Sequence, residues 1–155
     1  WLAERDHSTA HAAWREALAG FDTPVLVGPP QKLQFGRRSV DSFRVPSKTT
    51  RALTKLARSH QTTVSIVLQG AWALLLSSLT GQSDIAFGTT VSGRPAEVLG
   101  AESMVGLLIN TIPVRATLTP TTTTADLLRQ LQNTHNDTLE HQHLALSDIH
   151  RITGQ

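Results

Sequence analysis

A layered α/β domain is the fold this sequence predicts, and three observations carry the expectation. Val64 to Thr80 is a run of helical length that is apolar almost all round, so it needs cover on most sides. Two β-prone segments follow it, at 84–92 and 107–118. Amphipathic helix patterns precede and follow these elements, which places sheet beneath the apolar helix and other elements around it. The 155 residues suit one domain with a real core, and 39% hydrophobic with 17% charged content excludes disorder or a coiled coil.

In chain order, Ser8 to Leu18 reads as a helix. Ser8 or Thr9 caps it, Ala10, Trp14 and Leu18 form its apolar stripe, and Gly20 stands where a left-handed C-cap belongs. Residues 21–38 carry Pro24, Gly28, Pro29, Pro30 and Gly36, which break any ladder, and read as an irregular connector. Ser39 to Val45 alternates as a strand with one apolar face. Ser47 is read as the N-cap of a second helix, buried through Leu53, Leu56 and Ala57. After a break at Ser59 to Gln61, Thr62 or Thr63 caps the apolar helix, and Gly81 ends it.

Asp84 to Ser92 is a strand with two unlike faces. Ile85, Phe87, Thr89 and Val91 form one row; Ala86, Gly88, Thr90 and Ser92 form a row of small residues. Such a row admits either a slender ligand or, more commonly, a tightly packed helix. A loop with a possible helical turn leads to Gly106. Leu107 to Leu118 then reads as a strand covered on both faces, with Pro113 demanding a bulge or an edge. Thr124 is the expected cap of a helix from Ala125 to about Glu140, with Leu128, Leu131, His135 and Leu139 along one side. Ser147 is the expected cap of a last helix, Asp148 to Thr153.

Several chemistries are absent. No cysteine is present, so disulfides, thiolate metal sites and a thiol nucleophile are excluded. There is no Walker loop, GxGxxG, HExxH or GxSxG. His141 and His143 are spaced to share a metal only if extended and lack an evident third ligand, so the sequence assigns no metal site. A net charge of +2 gives no reason to expect nucleic acid. The longest apolar run is shorter than the ~20 residues of a bilayer span, so no membrane association is expected. No secretory leader is visible, and a first residue of Trp1 suggests a cut inside a longer reading frame.

Several motifs, in order, carry a resemblance. Asp84-Ile-Ala-Phe-Gly-Thr-Thr-Val-Ser-Gly-Arg-Pro95 precedes Met104-Val-Gly-Leu-Leu-Ile-Asn-Thr-Ile-Pro-Val-Arg115. The second resembles the VGxFxNTxxxR motif of condensation domains in nonribosomal peptide synthetases, and the first is similar to the strand and SGRP turn before it. His141-Gln-His-Leu-Ala-Leu-Ser-Asp-Ile149 resembles the family's next motif. Trp1-Leu-Ala-Glu with Ala13-Trp14, and the helix around Gln69-Gly-Ala-Trp-Ala-Leu-Leu, also fit. Leu108 stands where the family often has Phe, and His143 where an acid is common.

The resemblance covers nearly the whole chain. It implies a chloramphenicol-acetyltransferase-like α/β sandwich with a mixed sheet and helices packed on it. The chain would be the first part of the second of two lobes, truncated at both ends. Between such lobes, carrier proteins deliver thioesters on phosphopantetheine arms, and an amine attacks to form an amide. The family's HHxxxDG motif belongs to the earlier lobe and is not in this sequence, so no catalytic residue is assigned here and the fragment alone is expected to be inactive. Implied partners are the N-terminal lobe of the same domain, peptidyl carrier domains and a downstream adenylation domain, in the cytoplasm. No cofactor is bound directly; phosphopantetheine belongs to the carriers. Two other readings stay open: a noncatalytic module that docks a carrier or a lobe, and an ester-forming or epimerising variant of the same fold.

The candidate tunnel-lining or lobe-bridging residues are Ser92, Arg94, Asn110, Thr111, Arg115, His141 and Gln142. Ser92 lies on the small-residue face. Arg94 could hold a bridging loop through a carboxylate or meet a phosphate of the arm. Asn110 and Thr111 interrupt an apolar strand, so if buried they need partners, either inside the fold or across to the other lobe. Arg115 reads as a salt-bridge residue at the strand end. His135 reads as a packing residue.

Overall fold

In a computed structural model, residues 1, 4–28, 40–94 and 97–154 are described. The elements in order are α1 (His7–Ala17), α2 (Ser47–Ser59), α3 (Val64–Thr80), β1 (Asp84–Val91), β2 (Asn110–Thr117), α4 (Thr124–Thr138) and α5 (Leu146–Thr153). Single 3-10 turns lie at Ala101–Ser103 and Leu139–His141. Among the described residues the sheet is one pair, β1 beside β2. The Leu118 N–H donates to the Ser83 carbonyl at 2.6 Å, while Gly88 lies against Thr111. One number falls as the other rises, so the pair is antiparallel. With two described strands, each has a free edge, which is where Pro113 can sit without losing a ladder bond.

The chain divides into two compact units. One comprises Pro24–Ile85 and Ala116–Gln132. Here α2 and α3 pack together across a 101° turn, and α3 sets Ile66, Val67, Gly70, Ala73 and Leu76 inward. Gly70 faces Leu127, Leu128 and Leu131 of α4; a Cβ there would meet their methyls at 3.4–3.6 Å. Thr62 Oγ1 donates to Gln132 Oε1 at 2.6 Å and ties the α2–α3 break to α4. The other unit comprises Trp1–Thr23, Ala86–Arg115 and Asn133–Gln155. Its core is Trp14, Leu18, Ile112, Leu144 and Ile149, flanked by Ala17, Val91 and Ile152.

The expected capping of α3 is present. Thr63 Oγ1 accepts from the Ile66 N–H at 3.2 Å, and Gly81 closes the helix at φ +72°. Elsewhere the cap falls on a neighbour of the residue expected. Asp6 replaces Ser8 or Thr9, and the hydroxyls of Ser8 and Thr9 with the Ser8 N–H hold its carboxyl well below the usual range. Pro46 stands in place of Ser47 as the N-cap of α2, without a side-chain bond. Thr123 replaces Thr124: its Oγ1 accepts from the Asp126 N–H at 3.2 Å, while the Asp126 carboxylate accepts from the Thr123 N–H at 3.1 Å. That reciprocal pair is a capping box, and the Thr123 hydroxyl is the main reason the Asp126 carboxyl is held low. Ala145 replaces Ser147 at α5, again with no side-chain bond.

Several expectations fail on ladder or cover. Residues 40–45 are not a strand; Val40 and Phe43 are 90% and 89% exposed. Alternation chooses a face, but a strand also needs a neighbour's N–H and C=O groups, and none pairs here among the described residues. Ser39 and residues 29–38 of the expected connector lie outside the described residues; 21–28 hold no helix or strand. The second strand begins at Asn110 and ends at Thr117, not at 107 and 118. Leu107 is 89% exposed because β1 has already ended and Gly93, at φ +61°, has turned the chain. The small row of β1 is not under a helix: Gly88, Thr90 and Ser92 are exposed. On α4, Leu139 leaves the buried stripe because the helix gives way to a 3-10 turn, and Thr138 takes its place.

Among the described residues the apolar helix is covered on one side only. Leu68, Trp72, Leu75 and Leu79 form a row 47–57% exposed, with Leu74 beside it. A contiguous apolar row of this kind drives association. The Leu68→Gln/Leu75→Gln variant should therefore keep the helical spectrum and lose concentration-dependent self-association in sedimentation velocity; a monomeric parent chain would contradict this. Gly70→Ala fits the contacts above and should gain up to about 1 kcal/mol in urea unfolding from helix propensity. Gly70→Leu should lose about 1–3 kcal/mol by overpacking.

Candidate functional site

The sequence-selected residues fall into two groups within the unit that holds α1 and α5. The first is a pinned turn. Asn110, the first residue of β2, is half-buried and donates both amide hydrogens, to the carbonyls of Gln142 and Leu144, each at 2.8 Å. Its Oδ1 accepts from the Thr111 N–H at 2.9 Å, so the amide has three bonds. The Trp14 indole N–H, from α1, donates to the His141 carbonyl at 3.0 Å. Three carbonyls of the 141–144 turn are thus held by side chains of two other elements, and Leu144 is buried beneath. His141 enters through its backbone. The Gln142 Nε2 is buried without a hydrogen-bond partner among the described residues.

The second group lines an open groove of about 400 Å³ between the end of β1 and the approach to β2. Thr90, Ser92, Arg94, Leu107, Leu108 and Ile109 line it, and Arg94 is its only ionisable lining residue among those described. Ser92 is exposed on the small-residue face, and its Oγ accepts from the Arg94 N–H at 3.4 Å. Arg94 turns back onto its own loop and donates to the carbonyls of Ala101 and, at 3.1 Å, Met104. It therefore secures the 101–104 loop through carbonyl oxygens, not through the expected carboxylate. Gly93 permits the close approach: a Cβ there would sit 1.6 Å from the Leu108 carbonyl oxygen.

Thr111 and Arg115 stand apart from both groups. The Thr111 methyl lies over Gly88, where a Cβ would approach it to 3.0 Å. Arg115 donates to the Ala19 carbonyl at 2.7 Å and lies over the Phe21 ring at 5.7 Å, holding the chain after α1. Sequence reasoning took Trp14 as stripe and missed its role in the pin, although a buried indole N–H needs an acceptor and could have signalled it. It also missed Gly93. Among the described residues no three His, Asp or Glu side chains are arranged to hold a metal. The site offers shape, hydrogen-bond donors and one cation, which suit binding and positioning. Neither group contains a nucleophile paired with a base.

Known proteins resemble this chain along its length. The sequence profile described as Condensation domain matches residues 1–155. One of the linear gramicidin synthase polypeptides of Brevibacillus parabrevis is 41% identical over 155 residues, covering 96% of this chain and 3% of the synthase polypeptide. The first condensation domain of the calcium-dependent antibiotic synthetase, in complex with a substrate analogue, superposes with a TM-score of 0.80 at 22% identity, over 99% of this chain and 35% of that one. The X-domain from teicoplanin biosynthesis, in complex with OxyB, superposes with a TM-score of 0.74 at 22% identity, over 94% of this chain and 32% of that one. The chain thus spans about a third of the solved structures it matches and a few per cent of the synthase polypeptide.

The pin yields a stability prediction. Asn110→Ala leaves two carbonyls of the turn without donors and should cost about 1–3 kcal/mol in urea unfolding. Asn110→Asp should cost at least as much, because a carboxylate would face two carbonyl oxygens. An Asn110→Ala chain as stable as the parent would contradict the assignment.

Proposed function

This chain belongs to the condensation-domain family, and on that premise we propose that it forms one wall of a cleft in which two carrier-bound thioesters are joined. The acceptor's amine attacks the donor's thioester carbonyl, the tetrahedral adduct collapses with loss of the carrier thiolate, and an amide remains. The amine's proton goes to a base outside these residues, supplied by the domain's other lobe. Phosphopantetheine arms on peptidyl carrier domains bring both substrates; an adenylation domain loads the acceptor. The observation that carries the reading is the family match over residues 1–155, and the groove's missing acid–base pair is in keeping with it. Ser92, Thr90 and Gly88 supply an exposed face of small residues past which a slender arm can run. Arg94 lines the same groove, and on releasing its loop its guanidinium would meet the arm's phosphate.

A second reading has one observation in its favour. The same fold, in the teicoplanin X-domain, occurs in complex with OxyB. On that reading the lobe docks a partner and performs no chemistry. The two are separated by assaying amide formation with two loaded carrier proteins. The synthetase that contains these residues should release the condensed product, and the 155-residue chain alone should release none. Product from the chain alone would overturn the division of labour. An intact synthetase that binds loaded carriers without turnover would establish the docking reading instead.

A further inference from the structure

The cluster that packs on the pinned turn belongs to neither group above. His143 meets the Trp1 ring edge-on, with centroids 5.7 Å apart, and the His7 ring at 6.2 Å. His11, one helical turn along α1, lies 6.3 Å from His7. The Arg5 guanidinium covers the Trp1 ring, 4.2 Å from its centroid, and forms an ion pair with Glu97. Trp1, with Arg5 on its ring, and the first turn of α1 are thereby packed on the 141–144 turn through one imidazole.

That imidazole is arranged for its neutral form. The His143 Nδ1 lies 3.1 Å from the Glu140 carbonyl oxygen, a distance at which Nδ1–H donates. A neutral ring then carries a lone pair on Nε2, and Nε2 is buried with no hydrogen-bond partner among the described residues. A proton added there would have no acceptor among the described residues. The resulting cation would face Arg5 from the N-terminal segment, His7 from α1, with His11 beyond it, and His141 from its own turn. Of the acidic groups nearby, Glu97 is engaged by Arg5, and Glu140 is in contact through its backbone.

We propose that His143 is a proton-sensitive latch: neutral, it fastens Trp1 and residues 4–11 to the 141–144 turn, and protonated, it leaves the cluster and releases them. Burial pushes the imidazole below its usual value; the Glu140 carbonyl opposes this, and Arg5, His141 and His7 add to the depression. The sign follows from linkage. The released state binds the proton more readily, so the latch's stability is complete above the free imidazole's range near 6.5 and is lost as pH falls from there toward the depressed value.

Hydrogen exchange of the 155-residue chain, read by mass spectrometry at about pH 7.5 and about pH 5.5 and corrected for intrinsic rates, tests this across the range in which histidine titrates. Protection of segments 4–11 and 141–145 should fall severalfold at the lower pH while α3 stays unchanged. His143→Leu, which cannot titrate, should remain protected at both pH values. His143→Lys, a permanent cation, should be unprotected in those segments at both, with α3 protected as the control for folding. Equal protection of the parent chain at both pH values would overturn the latch. So would a pH-dependent loss that persists in His143→Leu, or a His143→Lys chain protected like the parent at neutral pH.

Discussion

The unit around α1 and α5 depends on satisfying the backbone of one turn. Residues 141–144 bend from the end of α4 into α5, and the bend leaves carbonyls that no helix claims. Trp14 and Asn110 take three of them. An unpaired buried carbonyl costs more than a made bond returns, so the position of the turn is set by an indole and an amide distant in sequence. Leu144 and Ile149 can then pack on Trp14 and Ile112. The pin also fixes where Gln142 and His143 stand, which links the core to the polar surface above it.

Much of this order is legible in the sequence, and the exceptions have physical causes. Thr63 and Gly81 bracket an apolar helix that the structure reproduces. Ala10, Trp14 and Leu18 are buried as their spacing of four requires. Asn110 is legible as a polar residue needing partners, yet its partners lie 32 and 34 residues away, and no local pattern names them. The missed caps share another cause: several Ser, Thr or Asp candidates stand together, and the winner is whichever side chain reaches the exposed N–H groups. The failed strand at 40–45 shows the limit of alternation, because ladder partners are a property of the fold and not of the segment.

The family resemblance adds what residue physics leaves open. Periodicity places a strand of small residues beside a groove but does not distinguish a packing surface from a substrate surface. Membership of the condensation-domain family is shown by the match over residues 1–155, and it is from that match, not from periodicity, that the proposed role of the groove starts. The same physics explains why Arg94 and Asn110 look alike in sequence and differ in place. Arg94 lies in the loop after β1 and secures that loop, while Asn110 opens β2 and joins it to a distant turn.

On the proposed function, these residues shape and line a reaction cleft whose proton acceptor comes from other polypeptide. A crystal structure of the full condensation domain trapped with a thioester analogue is the most direct measurement. The account predicts the analogue's arm in the groove beside Ser92 and Arg94, with its reacting carbonyl within hydrogen-bond reach of a histidine outside residues 1–155. An analogue bound away from that groove, or one whose reacting carbonyl meets an acid–base pair within residues 1–155, would contradict it.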